Sequence, residues 1–449
     1  MRATVNNVLI YASVAALLAA SVSNWVELSK IVPAYIIEVI PYLLGFLVLC
    51  VMLIDVARWR RLPIPGKYIV LLILYLGIFL MSAVVNKVDV GDLVGALVRF
   101  FGFLPYFMVG ALVARERRAK RALGVVVLAI ALCEVPLAVY QRLVMYSHLS
   151  TGDVVRGSFS SSAVLSLYML AVSVYLVARV VVGDGRKTYL LAALLIFFPC
   201  TINETKGTVP LLILALGAMA LLGVSRRKRF HVTAVIVPSM AVLLALYSLF
   251  YYIYWGHNIF TYYAEGGFMS SLDKQVDPRE GHQDSRKKVG RVDAVRIAWD
   301  ELKRNDKILF GFGPGNVTVF GIHPTRLQAR SDSAKQEYYV NLGVRMNAIA
   351  FWLWNMGILG LALLVGFLVV VLKDSVRCAT SLCGDKVLCA AWVGISVEAL
   401  ASLLYKHQLP HGILIVPHLL FSGMVAKYAQ EAAIVSHQTR YNVQTSRSI

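Results

Sequence analysis

Residues 34–67 read AYIIEVIPYLLGFLVLCVMLIDVARWRRLPIPGK. From Ala34 to Val56 the only charges are Glu38 and Asp55, and the stretch closes on Arg58, Arg60, Arg61 and Lys67. At about 1.5 Å of rise per residue, a helix over 34–56 is long enough to cross the roughly 30 Å hydrocarbon core of a bilayer. Cations clustered just past such a run mark its cytoplasmic side. The same pairing of apolar run and basic loop recurs down the chain and sets the fold.

Spans are expected at 6–24, 34–56, 67–85, 91–114, 121–144, 161–182, 188–205, 207–224, 231–253, 346–372, 386–404 and 409–426. Basic loops follow every second one. Arg115, Arg117, Arg118, Lys120 and Arg121 follow the fourth, and Arg186 and Lys187 the sixth. Arg226, Arg227, Lys228 and Arg229 follow the eighth, and Lys373, Arg377 and Lys386 the tenth. The positive-inside rule therefore puts these loops and both termini in the cytoplasm. The expected fold is an all-α polytopic membrane protein of about 12 transmembrane helices with one large extracytoplasmic loop. Its parts are a membrane bundle over 1–253, a loop domain over 254–345, the last three helices over 346–426 and a cytoplasmic tail over 427–449.

Composition agrees. The chain has 449 residues, 58% hydrophobic and 15% charged, against roughly 45–50% and about 25% in an ordinary soluble domain. The net charge of +19 is topological, because the cations sit between apolar runs, so no nucleic-acid partner is expected. The six cysteines, Cys50, Cys133, Cys200, Cys378, Cys383 and Cys389, show no metal-ligand spacing, and none lies in 254–345. Neither a metal site nor a disulfide framework is expected. The first run lacks a small-residue cleavage site and is followed by more spans, which argues against a cleaved signal peptide.

Charges inside apolar runs are costly and stand out first: Glu38, Arg99, Glu134 and Glu398. They line a polar cavity or proton path, or pair between helices. A second group lies at outer helix ends. Gln141, Arg142, His148, Asp153 and Arg156 follow the fifth span, and Asn203, Glu204, Thr205, Lys206 and Gly207 interrupt an apolar hairpin. Polar backbone at membrane depth persists only inside protein or beside water. Arg156 and Lys206 there face outer-leaflet phosphates, either as a site for a diphosphate or as simple snorkelling cations.

In the large loop, Gly290 to Leu309 reads as an amphipathic helix, stopped by Gly311-Phe312-Gly313-Pro314-Gly315-Asn316. No strand precedes this glycine turn, so a nucleotide-binding reading fails its context. Arg291 and Arg296 are five apart, about 140° around a helix, so at most one points squarely at a given site. The loop also carries Lys303, Arg304, His323, Arg326, Arg330, Glu337 and Arg345. Of these, His323 and Glu337 are the candidate general base and acid.

Four pieces of sequence resemble the bacterial O-antigen ligase and polymerase superfamily (Wzy/WaaL-like membrane glycosyltransferases). Arg156-Gly157-Ser158-Phe159 resembles its Arg and Gly-x-Phe element, and Thr205-Lys206-Gly207 its Ser-Arg-Gly opening of a span. Arg291 to Lys307 with the following glycine turn resembles its loop helix and Gly-x-Gly turn. Asn347 to Trp354, then Gly357-Ile358-Leu359-Gly360, resembles its His-Asn element and Gly-x-x-Gly.

The resemblance implies a GT-C-like bundle with a cavity open to the outer leaflet. It implies glycan transfer from an undecaprenyl diphosphate donor to a glycan or lipid acceptor in the bacterial inner membrane, with no metal or other cofactor. Arg156, Lys206, Arg291, Arg296 and Arg345 would hold the diphosphate. Arg99, Asn347, Gly311 and Gly313 would shape the cavity. Two positions depart from the pattern: Lys206 replaces an Arg, keeping charge but losing the bidentate fork, and Met346 replaces the His before Asn347. Met346 favours a surface polysaccharide polymerase over a ligase that attaches glycan to lipid A core. A secondary transporter is the competing class, yet the halves show no internal symmetry and the long loop breaks a six-plus-six division. A purely structural subunit ranks below both.

Overall fold

The structure is a computed structural model that describes residues 2–22, 34–59, 64–148, 154–183, 185–203, 205–225, 229–256, 260–261, 289–317, 342–344, 346–381, 384–405 and 412–447. Regular structure among them is entirely helical. The helices are α1 Arg2–Val22, α2 Ala34–Trp59, α3 Gly66–Val85, α4 Val90–Phe101, α5 Leu104–Val113, α6 Arg117–Tyr140 and α7 Ser162–Val182. They continue with α8 Thr188–Ile202, α9 Thr208–Leu222, α10 Arg229–Trp255, α11 Arg291–Arg304, α12 Ala348–Thr380, α13 Lys386–Ser402 and α14 Gly412–Arg447.

Each apolar run expected to span falls on a helix, with α4 and α5 sharing the fourth. Pro105, in the first turn of α5 and lacking an N–H, fits a fresh helix start better than an interior, which accounts for that division. Among the described residues, seven helices are long and apolar enough to cross a membrane: Gly66–Val85, Val90–Val113, Arg117–Met145, Ser162–Val182, Arg229–Ile253, Ala348–Thr380 and Ile413–Val435. Asn7–Val22, Val39–Val51, Thr188–Ile202 and Thr208–Leu222 are apolar but shorter. The chain is a polytopic membrane protein. The last helix runs past position 426 to Arg447, and Tyr428, Ala429 and Ala432 beyond that point are buried.

The bundle is held by close backbone approach as well as by side chains. A Cβ on Gly110 of α5 would lie 1.8 Å from Leu420 O of α14, and one on Gly423 would lie 1.9 Å from Phe107 O. Only hydrogen at both positions lets these helices touch, the usual device where lipid supplies no hydrophobic drive between helices. Further packing joins α7 to α8, α9 to α13, and α12 to α3, α11 and α13. The loop helix α11 lays Ala294, Ala298 and Leu302 against an aromatic cluster that includes Phe351, Trp352 and Trp354.

The basic loops meet at one end. Arg115 pairs with Glu431 (2.6 Å), Lys120 reaches Asp385 (3.8 Å), and Tyr428 Oη donates to Ala114 O (2.6 Å). At the same end of α12, buried Asp374 pairs with Lys67 and accepts from Tyr68 Oη at 2.8 Å. Asp374→Ala leaves the Tyr68 hydroxyl buried without its acceptor, while Lys67, partly exposed, rehydrates. The expected cost is about 1–3 kcal/mol, read as a lower thermal midpoint of the detergent-solubilised protein.

Candidate functional site

At the other end of the bundle three breaks in helical structure lie close together. Asn347 caps the start of α12, while Asp374 lies towards its other end, with the basic loops.

The first break is the turn Arg156-Gly157-Ser158-Phe159, just before α7. Gln141, in a π-helical turn at Gln141–Met145, grips it. Its Nε2 donates to Gly157 O (2.7 Å), and its Oε1 accepts from the N–H groups of Arg156 (3.0 Å) and Gly157 (2.8 Å). Buried Glu134 accepts from Ser158 N at 2.9 Å and also takes a hydrogen bond from the Ser158 hydroxyl, which lies against Ser21 O of α1. Gly157 has φ +62°, and a Cβ there would fall 1.9 Å from Glu134 Oε2. Phe159 is buried edge-on to Tyr168 with ring centroids 5.3 Å apart. Backbone polar groups that would be orphaned in a membrane are thus satisfied by two side chains. Arg156 stays half-buried, and its guanidinium makes no hydrogen bond to another described residue.

The second break separates α8 from α9. Buried Asn203 donates through Nδ2 to Ser162 O (3.1 Å) and to Ser166 Oγ (2.8 Å), and its Oδ1 accepts from Thr205 N (3.2 Å). These bonds tie the Lys206 turn to the N-terminus of α7, the same helix start that the Arg156 turn precedes. Lys206 Nζ lies 5.9 Å from the Tyr251 ring centroid of α10.

The third break joins the loop helix to α12. Asn347 caps α12, its Oδ1 accepting from Ala350 N (2.8 Å), while its Nδ2 donates to Arg291 O (2.7 Å). Arg291, first residue of α11, donates from Nε to Tyr405 O (2.8 Å) and stacks its guanidinium 4.6 Å from the Tyr405 ring. Gly207 packs against the same ring, since a Cβ there would lie 2.2 Å from Tyr405 Cε2. Tyr405 thus meets both Arg291, whose carbonyl Asn347 holds, and Gly207 of the turn that carries Lys206.

The glycine turn is structural. Inside α12, Gly357 adopts φ 65°, ψ −162°, interrupting the ladder. Segment 308–312 fills the gap: Phe312 N donates to Trp354 O (2.8 Å) and Ile358 N to Ile308 O (2.9 Å). A Cβ on Gly311 (φ +66°) would meet Gly357 N at 2.7 Å and Leu353 O at 2.8 Å. Asn86 Nδ2 of α3 donates to Gly311 O (3.0 Å), and Asn316 Nδ2 to Asn86 O (3.2 Å), fixing the turn, in which Gly313 has φ +98°.

Other expected residues lie apart. Arg296 is exposed and faces Asp293 at 3.7 Å, so of the two loop arginines Arg291 alone reaches the Tyr405 cluster. Arg99 is exposed, bordering a groove of about 120 Å³ with Tyr75, Phe351 and Trp352. Met346 packs with the apolar cluster around Phe351 and Trp352. His323, Glu337 and Arg345 lie outside the described residues, as do Glu204, Asp153, Arg326 and Arg330. Tyr405 escapes sequence reasoning. A tyrosine ending an apolar run reads as an interfacial belt residue, and nothing local marks its partners.

No family model matches the chain, and no curated protein matches it. The chemistry of the end itself is that of cations on rigid turns. Arg291 on the Tyr405 ring, Lys206 beside the Tyr251 ring and Arg156 on the adjoining turn suit a polyanion such as a diphosphate.

Proposed function

We propose that the chain is a membrane glycosyltransferase that polymerises undecaprenyl-diphosphate-linked glycan units at the outer face of the bacterial cytoplasmic membrane, a surface polysaccharide polymerase of the cell envelope. The observation that carries the reading is the meeting at Tyr405 of Arg291, held by Asn347, with Gly207 of the turn that carries Lys206, at the end of the bundle remote from the basic loops. In this reading twelve helices cross the membrane, both termini are cytoplasmic and 254–345 is periplasmic.

The acceptor hydroxyl oxygen attacks the anomeric carbon of the donor's first sugar. A glycosidic bond forms, the bond from that carbon to the diphosphate oxygen breaks, and the hydroxyl proton passes to a base, His323 or Glu337. The undecaprenyl diphosphate leaves with its charge balanced by Arg156, Lys206 and Arg291. The apolar packing of Met346 supports polymerase over ligase, because the position offers no imidazole.

In a deletion strain, gel analysis of surface glycan is expected to show single-unit glycan. Accumulated lipid-linked polymer would instead mean a ligase, and unaltered glycan would overturn both readings. Lys206→Ala should lower polymer yield by roughly tenfold or more, the loss of about 1.5–3 kcal/mol from a charge-assisted hydrogen bond. Lys206→Arg should retain most of it.

A further inference from the structure

A second feature opens at the opposite end of the bundle. A cavity of about 910 Å³ runs between α6, α7, α12, α13 and α14, from Arg115 and Asp385 at that end to Ala348 and Leu403 beside the Asn347 cap, with Glu398 and His418 among its lining, at the upper end of the roughly 300–1,000 Å³ of ligand pockets. Its walls follow helical periodicity. On α13 the lining residues Leu388, Trp392, Ile395 and Ala399 recur every three to four positions, so the cavity follows that helix for about 16 Å. On α6 the lining includes Arg117, Lys120 and Arg121, then Gly124, Val125, Val127 and Leu128, so three cations head an otherwise apolar stripe. A Cβ on Gly124 would meet nothing within 4 Å, which leaves open space beside it.

The mouth is cationic, lined by Arg115, Arg117, Lys120, Arg121 and Arg179, with Asp385 the acid beside them. Arg115 is occupied by Glu431 and Lys120 by Asp385, and Arg179 donates to the Tyr189 hydroxyl at 3.0 Å. Arg117 and Arg121 are exposed, one turn apart, and make no ion pair among the described residues. A largely apolar chamber inside a membrane bundle, headed by the Arg117 and Arg121 guanidinium groups, is complementary to a molecule with hydrocarbon chains and an anionic phosphate.

We propose that this cavity is a binding site for an anionic phospholipid of the leaflet facing the basic loops. Its acyl chains lie between α6 and α13, and its phosphate is held by Arg117 and Arg121. The inference does not depend on the glycosyltransferase reading, since lipid retention is measured without turnover.

The test titrates delipidated full-length protein in mild detergent with phosphatidylglycerol and with phosphatidylcholine of the same chains, bound lipid being read by native mass spectrometry. One phosphatidylglycerol is expected to be retained, at least about tenfold tighter than phosphatidylcholine. Arg117→Ala with Arg121→Ala should remove that preference, whereas Arg118→Ala, outside the cavity, should not. Gly124→Phe keeps every cation but fills the chamber, and should lower retention of phosphatidylglycerol without lowering the thermal midpoint. Equal binding of the two lipids, equal losses in Arg118→Ala, or undiminished retention in Gly124→Phe would each overturn the proposal. So would displacement of phosphatidylglycerol by undecaprenyl diphosphate, which would make the chamber part of the donor path.

Discussion

Arg291→Ala is expected to abolish polymer formation while the protein still inserts and accumulates in the membrane. Arg291 is where the large loop meets the membrane bundle, through its Nε bond to Tyr405 O and its stack on the Tyr405 ring. Losing that bond costs about 1 kcal/mol of local stability, too little to unfold a bundle whose core lies elsewhere. Asn347 still holds the residue-291 carbonyl, so α11 stays docked. The Nη groups, which make no hydrogen bond to a described residue, are what the proposed diphosphate would use. Removing a preorganised donor from a developing anion costs roughly 10²–10³ in rate. Arg291→Lys keeps the charge and loses the fork, so it should fall between. The comparison is made by glycan ladder, normalised to the amount of protein in the membrane.

Gly311→Ala is expected to have the largest effect on assembly. Residue 311 has φ +66°, and its Cα faces backbone atoms of the α12 break, with Asn355 C and Leu353 O both at 2.8 Å from an added Cβ. Backbone cannot rotate away as a flexible side chain can. The left-handed conformation alone costs about 1–2 kcal/mol for a residue with a Cβ. The clash must also separate segment 308–312 from Gly357 and break the Phe312 N to Trp354 O bond. A total of roughly 4 kcal/mol or more is expected, seen as loss of full-length protein from the membrane fraction. An exposed neighbour serves as the control, since Leu309→Ala should leave the level nearly unchanged.

The two ends of the molecule differ in how much of them can be read from sequence. Helix positions follow from apolar length, because a bilayer imposes one period and one span on every segment. The loop helix follows from its apolar periodicity at its start, Arg291, within a residue of expectation, but it ends at Arg304, five residues short of the expected Leu309. What connects these pieces is long-range. Glu134, one of the charges that stood out inside an apolar run, is a cap for a turn 24 positions on. Asn347 and Arg291 meet across 56 positions. The break at Gly357 is invisible because the run 346–372 is apolar on both sides, and the backbone that satisfies it arrives from the loop. Arg99 stood out because it interrupts an apolar run, but its helix turns it outward at the bundle surface.

The central claim, that Arg291, Lys206 and Arg156 at the Tyr405 end of the bundle serve transfer of a diphosphate-linked glycan, is tested most directly with purified protein. Full-length protein in proteoliposomes is given undecaprenyl-diphosphate-linked repeat units, and products are resolved by gel and mass spectrometry. A ladder of lengthened lipid-linked glycans, with undecaprenyl diphosphate released, is predicted for the native chain and absent for Arg291→Ala. Unchanged donor in the presence of folded native protein, or an equal ladder from Arg291→Ala, would contradict it.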